Sequence, residues 1–431
     1  MCRLALLLLL SFVAAYDVSA FKSIQTCRYH LQSSRLSTLQ SSREYDADAV
    51  VAIKKATSTF ETTFVADRYT QNSRRIDKFL SRNSTGKAPI SYEITYDYDE
   101  LVIGDAASKN STAVMLVHPI GVGIGKWYYD RLLKSLTDNT EVQGRMVFLS
   151  PDLLGSYTAS APRRSDNGRE VKKFPLLNIT DWAEQLEHLM REYEIKSDLD
   201  GHEIGNWAIV ANGGCAPIAL KVAQSAVDKS APFEKDLTNV VISSPPRLSF
   251  FLEGTDPKRV KRSYRILSGI VGKLFWRYAL RKEGKFIQTF SERNLVGDPA
   301  SLGNHWTPNC VSAATHLDSR SKYSTYAFLA GALQDGCKDS FDSLKDTDIK
   351  IDFIRGTDRR QRRRPKSYFW KRKTVDKPVG SNTETSEETV EEYVKRNGNR
   401  GGTSLIGGRI SLAWEDSKGY ARELINLLLR P

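Results

Sequence analysis

The stretch Ile209-Val210-Ala211-Asn212-Gly213-Gly214-Cys215-Ala216-Pro217-Ile218-Ala219-Leu220 decides how this chain is read. Trp207–Asn212 is an apolar run of strand length, and two glycines follow it. Ala216 then opens a run of helix formers with Pro217 in its first turn, where a missing N–H costs nothing. The stretch is a strand, a tight turn and a helix. The same alternation extends outward. Ala113–His118, Arg145–Asp152, Val240–Ser243 and Ile349–Gly356 are apolar runs of the kind a strand buried on both faces needs, and Thr403–Gly408 is a last candidate. Tyr92–Tyr96 and Leu101–Ile103 read as two short strands. Helical spacing lies between them in "KWYYDRLLKSL", in "TDWAEQLEHLMREY" with Thr180 as its N-cap, in "CAPIALKVAQSAV" and in the closing "KGYARELINLLL".

Strands alternating with helices predict an α/β protein with a mostly parallel central sheet and helices on both faces. The domain is expected over 90–431, after a polar N-terminal extension, 44–89, that carries only a weak helical pattern around Ala47–Phe64. From about 246 to 343 the rhythm gives way to helical, aromatic-rich text such as "SGIVGKLFWRYALRK" and "YSTYAFLAGAL", which predicts an inserted helical lid.

With 40% hydrophobic and 26% charged residues the 431-residue chain has ample material for a core. Cys2, Cys27, Cys215, Cys310 and Cys337 are scattered, which argues against a disulfide framework and a zinc site; no metal or cofactor is expected. The net charge of +12 is concentrated. Residues 1–43 carry +4 and the run Arg359–Lys373 carries +9, so the remainder sums close to neutral and offers no evident groove for a polyanion.

The amino terminus reads as an address. Residues 1–20, "MCRLALLLLLSFVAAYDVSA", have signal-peptide proportions, with an apolar run too short to span a membrane comfortably. Residues 21–43 are basic, serine-rich and free of acids, which is transit-peptide composition. The two parts with Ser19-Ala20-Phe21 at their junction resemble the presequence of algae with secondary red plastids, so a plastid is expected ahead of secretion.

The order of motifs also carries a resemblance. "HPIGVGIG", "PDLLGS", the turn at Gly213, "SSPP", the helical lid, "GTD" and "GGR" succeed one another as in the α/β-hydrolase fold, from about Ile90 to the end. "HPIGVG", "PDLLG", "DWAEQL", "FSERNL" and "AFLAGAL" are similar to a group of cyanobacterial and plastid α/β-hydrolase-like proteins. The resemblance implies a nucleophile in G-x-S-x-G on the strand-to-helix turn, an acid after the next-to-last strand and a histidine last. The matching turn is Ala211-Asn212-Gly213-Gly214-Cys215, with Gly213 at the serine position. Asp358 fills the acid position, and Arg409 stands where the histidine belongs. The six histidines are His30, His118, His188, His202, His305 and His316, and none follows Asp358. An arginine stays protonated and cannot take a proton from a nucleophile.

Cys215 is the nearest thiol, at a helix start whose dipole would depress its pKa, but its side chain should project away from the nucleophile point. His118 reads as a loop anchor, and Asp152 as the residue that fixes the turn after it. What remains is a set of backbone donors. The loop holding His118, Ile120 and Gly121 should supply one anion-facing amide and Gly214 another, with Arg409 adding a cation if it faces the same cavity.

The expected function is therefore a plastid α/β-hydrolase-fold protein without serine-triad hydrolysis, binding a small amphipathic anionic ligand or acting as a scaffold near plastid membranes. Two alternatives stand beside it: an esterase or lipase-like hydrolase of a plastid lipid or pigment ester with a non-standard nucleophile, and a pure protein-interaction module. An insertion, about 359–400, holds Arg359, Arg360, Arg362, Arg363, Arg364, Lys366, Lys371, Arg372 and Lys373 interleaved with Tyr368, Phe369 and Trp370, and then an acidic run. It suits an anionic plastid membrane surface or an acidic protein partner better than nucleic acid.

Overall fold

The computed structural model describes residues 53–64, 91–246, 255–357 and 401–430, apart from breaks of one to three residues. All of these lie in one compact unit, Ile53–Arg359 with Asn382–Pro431. The presequence, Asp358 and the insertion 359–400 are outside the described residues.

Among the described residues nine strands form one sheet. They are β1 (Lys54–Thr62), β2 (Tyr92–Gly104), β3 (Asn110–Val117), β4 (Arg145–Pro151), β5 (Arg163–Arg164), β6 (Glu203–Asn212), β7 (Leu237–Ser243), β8 (Lys350–Gly356) and β9 (Thr403–Ile406). The order is β1-β2-β4-β3-β6-β7-β8-β9, with the short β5 paired to β2. β2 runs antiparallel to β1, β4 and β5, and every pair from β4 to β9 is parallel. Parallel neighbours need crossovers, and up to β8 helices supply them. The helices are α1 (Asp130–Thr137), α2 (Ile179–Leu199), α3 (Ala216–Val227), α4 (Pro257–Leu267), α5 (Ile270–Asn294, kinked at Arg281–Gly284), α6 (Trp306–Ser319), α7 (Lys322–Ala330), α8 (Cys337–Ser343), and, after β9, α9 (Leu412–Glu415) and α10 (Ser417–Leu428).

The period of two along each strand feeds two cores. Ala113, Met115 and Val117 of β3 join Ile209 and Ala211 of β6 in a layer with α2 and α3. Val114, Leu116, Ala208 and Val210 point the other way, into a layer with α1 and α10. Each fully buried aliphatic side chain here contributes about 1.5–3 kcal/mol, which is why these strands carry apolar residues on both faces. Helices α4 to α8 lie in the chain between β7 and β8, as the interruption in the sequence rhythm predicts.

Three sequence readings are corrected. Tyr92–Tyr96 and Leu101–Ile103 belong to one strand, because the acidic residues between them have partners: Asp97 with Thr57, Asp99 with Lys126, and Glu100 with Tyr193 and Lys196. The weak helical pattern around Ala47–Phe64 gives way to β1, so the sheet begins inside the stretch read as an extension, 44–89. Its alternate residues Ser58, Phe60 and Thr62 are buried, a period of two that four polar neighbours disguise. The N-cap of α2 is Asn178 rather than Thr180; Asn178 and Asp181 form a reciprocal capping box.

Candidate functional site

The central strand β6 ends at Asn212, the chain turns through a short 3-10 segment, Gly213–Cys215, and α3 begins at Ala216. Gly213 has φ +50, the left-handed conformation that costs a residue with a Cβ about 1–2 kcal/mol. A Cβ built on Gly213 would meet only the Ser244 carbonyl, at 3.7 Å, an ordinary contact. The turn therefore has the backbone geometry and the room for a side chain, and carries none. A mixed sheet in this order, parallel from β4 onward, with helices on both faces and this turn after its central strand, decides the architecture.

The chain has the α/β-hydrolase fold.

Solved α/β-hydrolases resemble it at low identity. An esterase from Thermogutta terrifontis is 12% identical, with 80% of this chain and 95% of that chain covered and a TM-score of 0.46. The peroxisomal α/β-hydrolase Lpx1 of Saccharomyces cerevisiae is 13% identical over 88% of this chain and 90% of its own, TM-score 0.46. A haloalkane dehalogenase variant from Bradyrhizobium elkanii is 11% identical over 86% and 96%, TM-score 0.45. No family sequence model and no curated relative matches the chain. Strand order, strand direction and the turn carry the fold; these likenesses transfer no residue's role.

In an α/β-hydrolase fold the chemistry gathers at the C-terminal ends of the strands, so what surrounds Gly213 there matters. The helical insertion packs down on it. Phe328 of α7 covers Gly214, where an added Cβ would lie 3.2 Å from the ring. Thr325 on the same helix donates to the Gly121 carbonyl at 2.9 Å, and the Trp127 indole donates to the Gly123 carbonyl at 3.0 Å. Gly123 has φ +69 and comes so close to α6 that a Cβ would sit 1.8 Å from the Cys310 carbonyl oxygen. The loop expected to offer an anion-facing amide is thus stitched to the insertion. The Ile120 backbone in this loop faces the Cys215 thiol and acts to lower its pKa, less strongly than burial raises it.

Cys215 is settled by burial. It is fully buried, and burial pushes its thiol up to about 12, opposite to the depression expected of a helix start. His118 is an anchor, as its place in the loop predicts. It is completely buried, with Nδ1 2.9 Å from the Pro119 carbonyl and Nε2 3.1 Å from the Leu153 N–H. A carbonyl only accepts and an N–H only donates, so Nδ1 carries the proton and both ring nitrogens are committed. Burial lowers its pKa to about 4, which keeps the ring neutral. Asp152, 3.9 Å from Nε2, accepts from the Lys126 N–H at 2.8 Å and from the Thr158 hydroxyl at 2.6 Å, so it fixes the following turn. Burial raises its pKa to about 6.

At the place expected of a base, backbone meets the turn. The Asn212 amide donates to the Ile410 carbonyl and the Tyr128 hydroxyl, each at 3.1 Å, and the Ser244 hydroxyl donates to the Ile410 carbonyl at 2.9 Å. The Arg409 guanidinium donates to the Arg293 carbonyl at the end of α5, at 2.7 Å, and its own N–H goes to Glu415. Arg409 therefore does not supply the pocket cation that its alignment suggested. Among the other histidines, His188 bonds the Thr59 carbonyl and His316 the Tyr157 carbonyl.

Sequence reasoning missed Ser244, a non-glycine residue at φ +50 directly after β7, and Phe328 above Gly214. The first lies in "SSPP", already marked as a strand end; the second has no signature short of the packing.

A separate open cleft of about 400 Å³ lies at Asp298, Ser301, Glu415 and Asp416. Its carboxylates already accept backbone N–H bonds: Asp298 from Ala300, Asp416 from Gly419, and Glu415 from Gly297 and Arg409. Among the described residues no cluster of His, Cys, Asp and Glu could hold a metal ion.

Proposed function

We propose that this protein does no serine-triad hydrolysis and works by binding, as a scaffold or assembly partner in the plastid. One observation carries the reading. The turn position that would hold a nucleophile is Gly213, and the neighbouring Asn212 and Ser244 side chains are tied to the carbonyl of Ile410 rather than to an imidazole. A hydrolase of this design needs a nucleophile within reach of a base that can take its proton. Gly213 offers no hydroxyl, the Cys215 thiol is buried with a raised pKa, and both nitrogens of His118 are in use.

The same contacts favour a scaffold over a carrier of an anionic ligand. Of the groups such a ligand would use, Gly214 lies under Phe328 and the Arg409 guanidinium reaches the Arg293 carbonyl. The plastid address rests on residues 1–43. Fusion of these residues to a fluorescent protein tests it: plastid fluorescence supports the address, and secretion removes it.

The chemistry is tested with a fluorophosphonate serine-hydrolase probe and a panel of short and long acyl esters on the purified protein. The expected result is no labelling above a heat-denatured control and no turnover. Specific labelling blocked by pre-inhibition would establish the rival, an esterase with a non-standard nucleophile. A bound lipid recovered from native protein by mass spectrometry would instead restore the ligand-carrier reading.

A further inference from the structure

The near-neutral sum of the folded body hides a pole. Between Pro257 and Lys285 there are ten basic residues against the single acid Glu283, and all ten side chains are exposed. Seven lie on α4 and the first part of α5, the two helices that open the insertion, and Arg281, Lys282 and Lys285 lie in the kink of α5 or just past it. The buried residues of α4 are Val260, Ser263, Tyr264 and Leu267. At 100° per residue, the opposite meridian of that helix is Lys258, Arg262, Arg265 and Lys261.

On α5 the buried side is Gly272, Trp276 and Ala279, and the meridian facing away from them carries Ile270 and Leu274, flanked by Arg277 and Lys273 on one side and Tyr278 on the other. Ile270 is 77% exposed, Leu274 44% and Tyr278 39%, at four-residue spacing along α5, and Ile266, 38% exposed, stands in the last turn of α4. Half of the eight exposed large hydrophobic residues among those described stand on these two helices, three of them along one side of α5.

The two helices are held as a unit. Gly272 packs against the last turn of α4 so closely that a Cβ would lie 1.6 Å from the Leu267 carbonyl oxygen, and the Tyr326 hydroxyl of α7 donates to the Gly272 carbonyl at 2.6 Å.

We propose that the α4–α5 face is a docking surface for an anionic lipid bilayer. Apolar side chains at the crest of a helix, an aromatic beside them and a dense flank of lysine and arginine are what a helix lying in the headgroup region requires. The crest enters the acyl boundary, the tyrosine stays at the interface, and the cations meet the lipid phosphates. An acidic protein would match the charge but leaves the outward Ile270 and Leu274 without a reason. The surface is independent of whether the Gly213 turn does chemistry, and it is distinct from the basic insertion after Asp358. It sits one helix layer above the turn, since α4 packs on α7 and Phe328 of α7 covers Gly214.

The test uses protein beginning at Glu44, which keeps every described element, in vesicle flotation. Vesicles of phosphatidylcholine alone are compared with equal parts of phosphatidylcholine and phosphatidylglycerol. Binding is expected to the anionic vesicles only. Lys273→Glu with Arg277→Glu should weaken it at least about twenty-fold, since each cation near such a surface is worth a several-fold change in affinity. Ile270→Ser with Leu274→Ser should leave low-salt capture but abolish the part that survives high salt. All four residues are exposed, so the fold is retained, which circular dichroism checks.

A third variant, with the basic residues of Arg359–Lys373 changed to Gln, separates the two basic regions. Unchanged binding by Lys273→Glu/Arg277→Glu, or full loss in the third variant alone, overturns the proposal. So does equal binding to neutral vesicles. Capture by polyglutamate but not by vesicles, lost in the Lys273→Glu/Arg277→Glu variant, would assign the face to an acidic protein instead.

Discussion

Gly213→Ser puts a hydroxyl on the turn, and the structure sets what should follow. The new Cβ has only the Ser244 carbonyl near it, at 3.7 Å, so no clash opposes it. The cost is conformational: a residue with a Cβ at φ +50 loses about 1–2 kcal/mol. The variant should fold and be weaker by that amount in urea unfolding, followed by circular dichroism. Turnover should not appear. A positioned general base contributes about 10²–10⁴-fold to such reactions, and the side chains beside the turn, Asn212 and Ser244, are occupied with the Ile410 carbonyl. Adding Arg409→His should not help. The side chain at that position reaches the Arg293 carbonyl on α5, while it is the backbone of the next residue that meets the turn. Both variants are assayed with p-nitrophenyl acetate and butyrate against the parent protein. Burst kinetics or acyl-enzyme mass in Gly213→Ser would refute the reasoning, for it would mean that a base lies within reach of the turn.

Other outcomes follow from the same contacts. Cys215 and Cys310, both buried with raised pKa values, should resist iodoacetamide in native protein and react on unfolding, as peptide mass spectrometry will record. Gly123→Ala should be far costlier than Gly213→Ser, above about 3 kcal/mol in urea unfolding, because its Cβ would strike the Cys310 backbone as well as hold a positive φ. His118 and Asp152 oppose each other in acid. The lowered pKa of His118, about 4, lets the unfolded chain bind the extra proton, so its contribution is complete above pH 6.5 and is lost as pH falls toward 4. The raised pKa of Asp152, about 6, acts the other way, favouring the folded state as pH falls from 6 toward 3.8. Asp152→Asn removes the second effect, so the variant should lose about 2 kcal/mol more than the parent between pH 6.5 and 4. A parallel pH dependence in the two proteins would sink that account.

Much of the architecture is legible in the residues because it depends on local pattern. Runs such as Ala113–His118 can be buried on both faces only in a covered parallel sheet, and Gly213-Gly214 between a strand and a helix marks the tight turn whatever surrounds it. Where polar partners intervene, pattern fails. Asp97, Asp99 and Glu100 look like a break between two strands but are in fact partnered, Asp97 by the Thr57 hydroxyl and Asp99 and Glu100 by Lys126 and Lys196, residues 40, 27 and 96 positions away. The strand Lys54–Thr62 hides in the same way, since only alternate residues of a polar stretch face the core.

The turn residue, the count of histidines and the alternation of strands and helices from β3 onward are set along the chain, since each is a property of composition or of neighbouring residues. Only the tertiary structure decided that Cys215 is sealed, that Arg409 turns to Arg293, that Phe328 covers Gly214 and that Ile270 and Leu274 stand outward among cations. Those four facts concern desolvation and direction. A side chain's pKa, partner and exposure depend on which distant segments pack against it, and a linear pattern records the residue but not its surroundings.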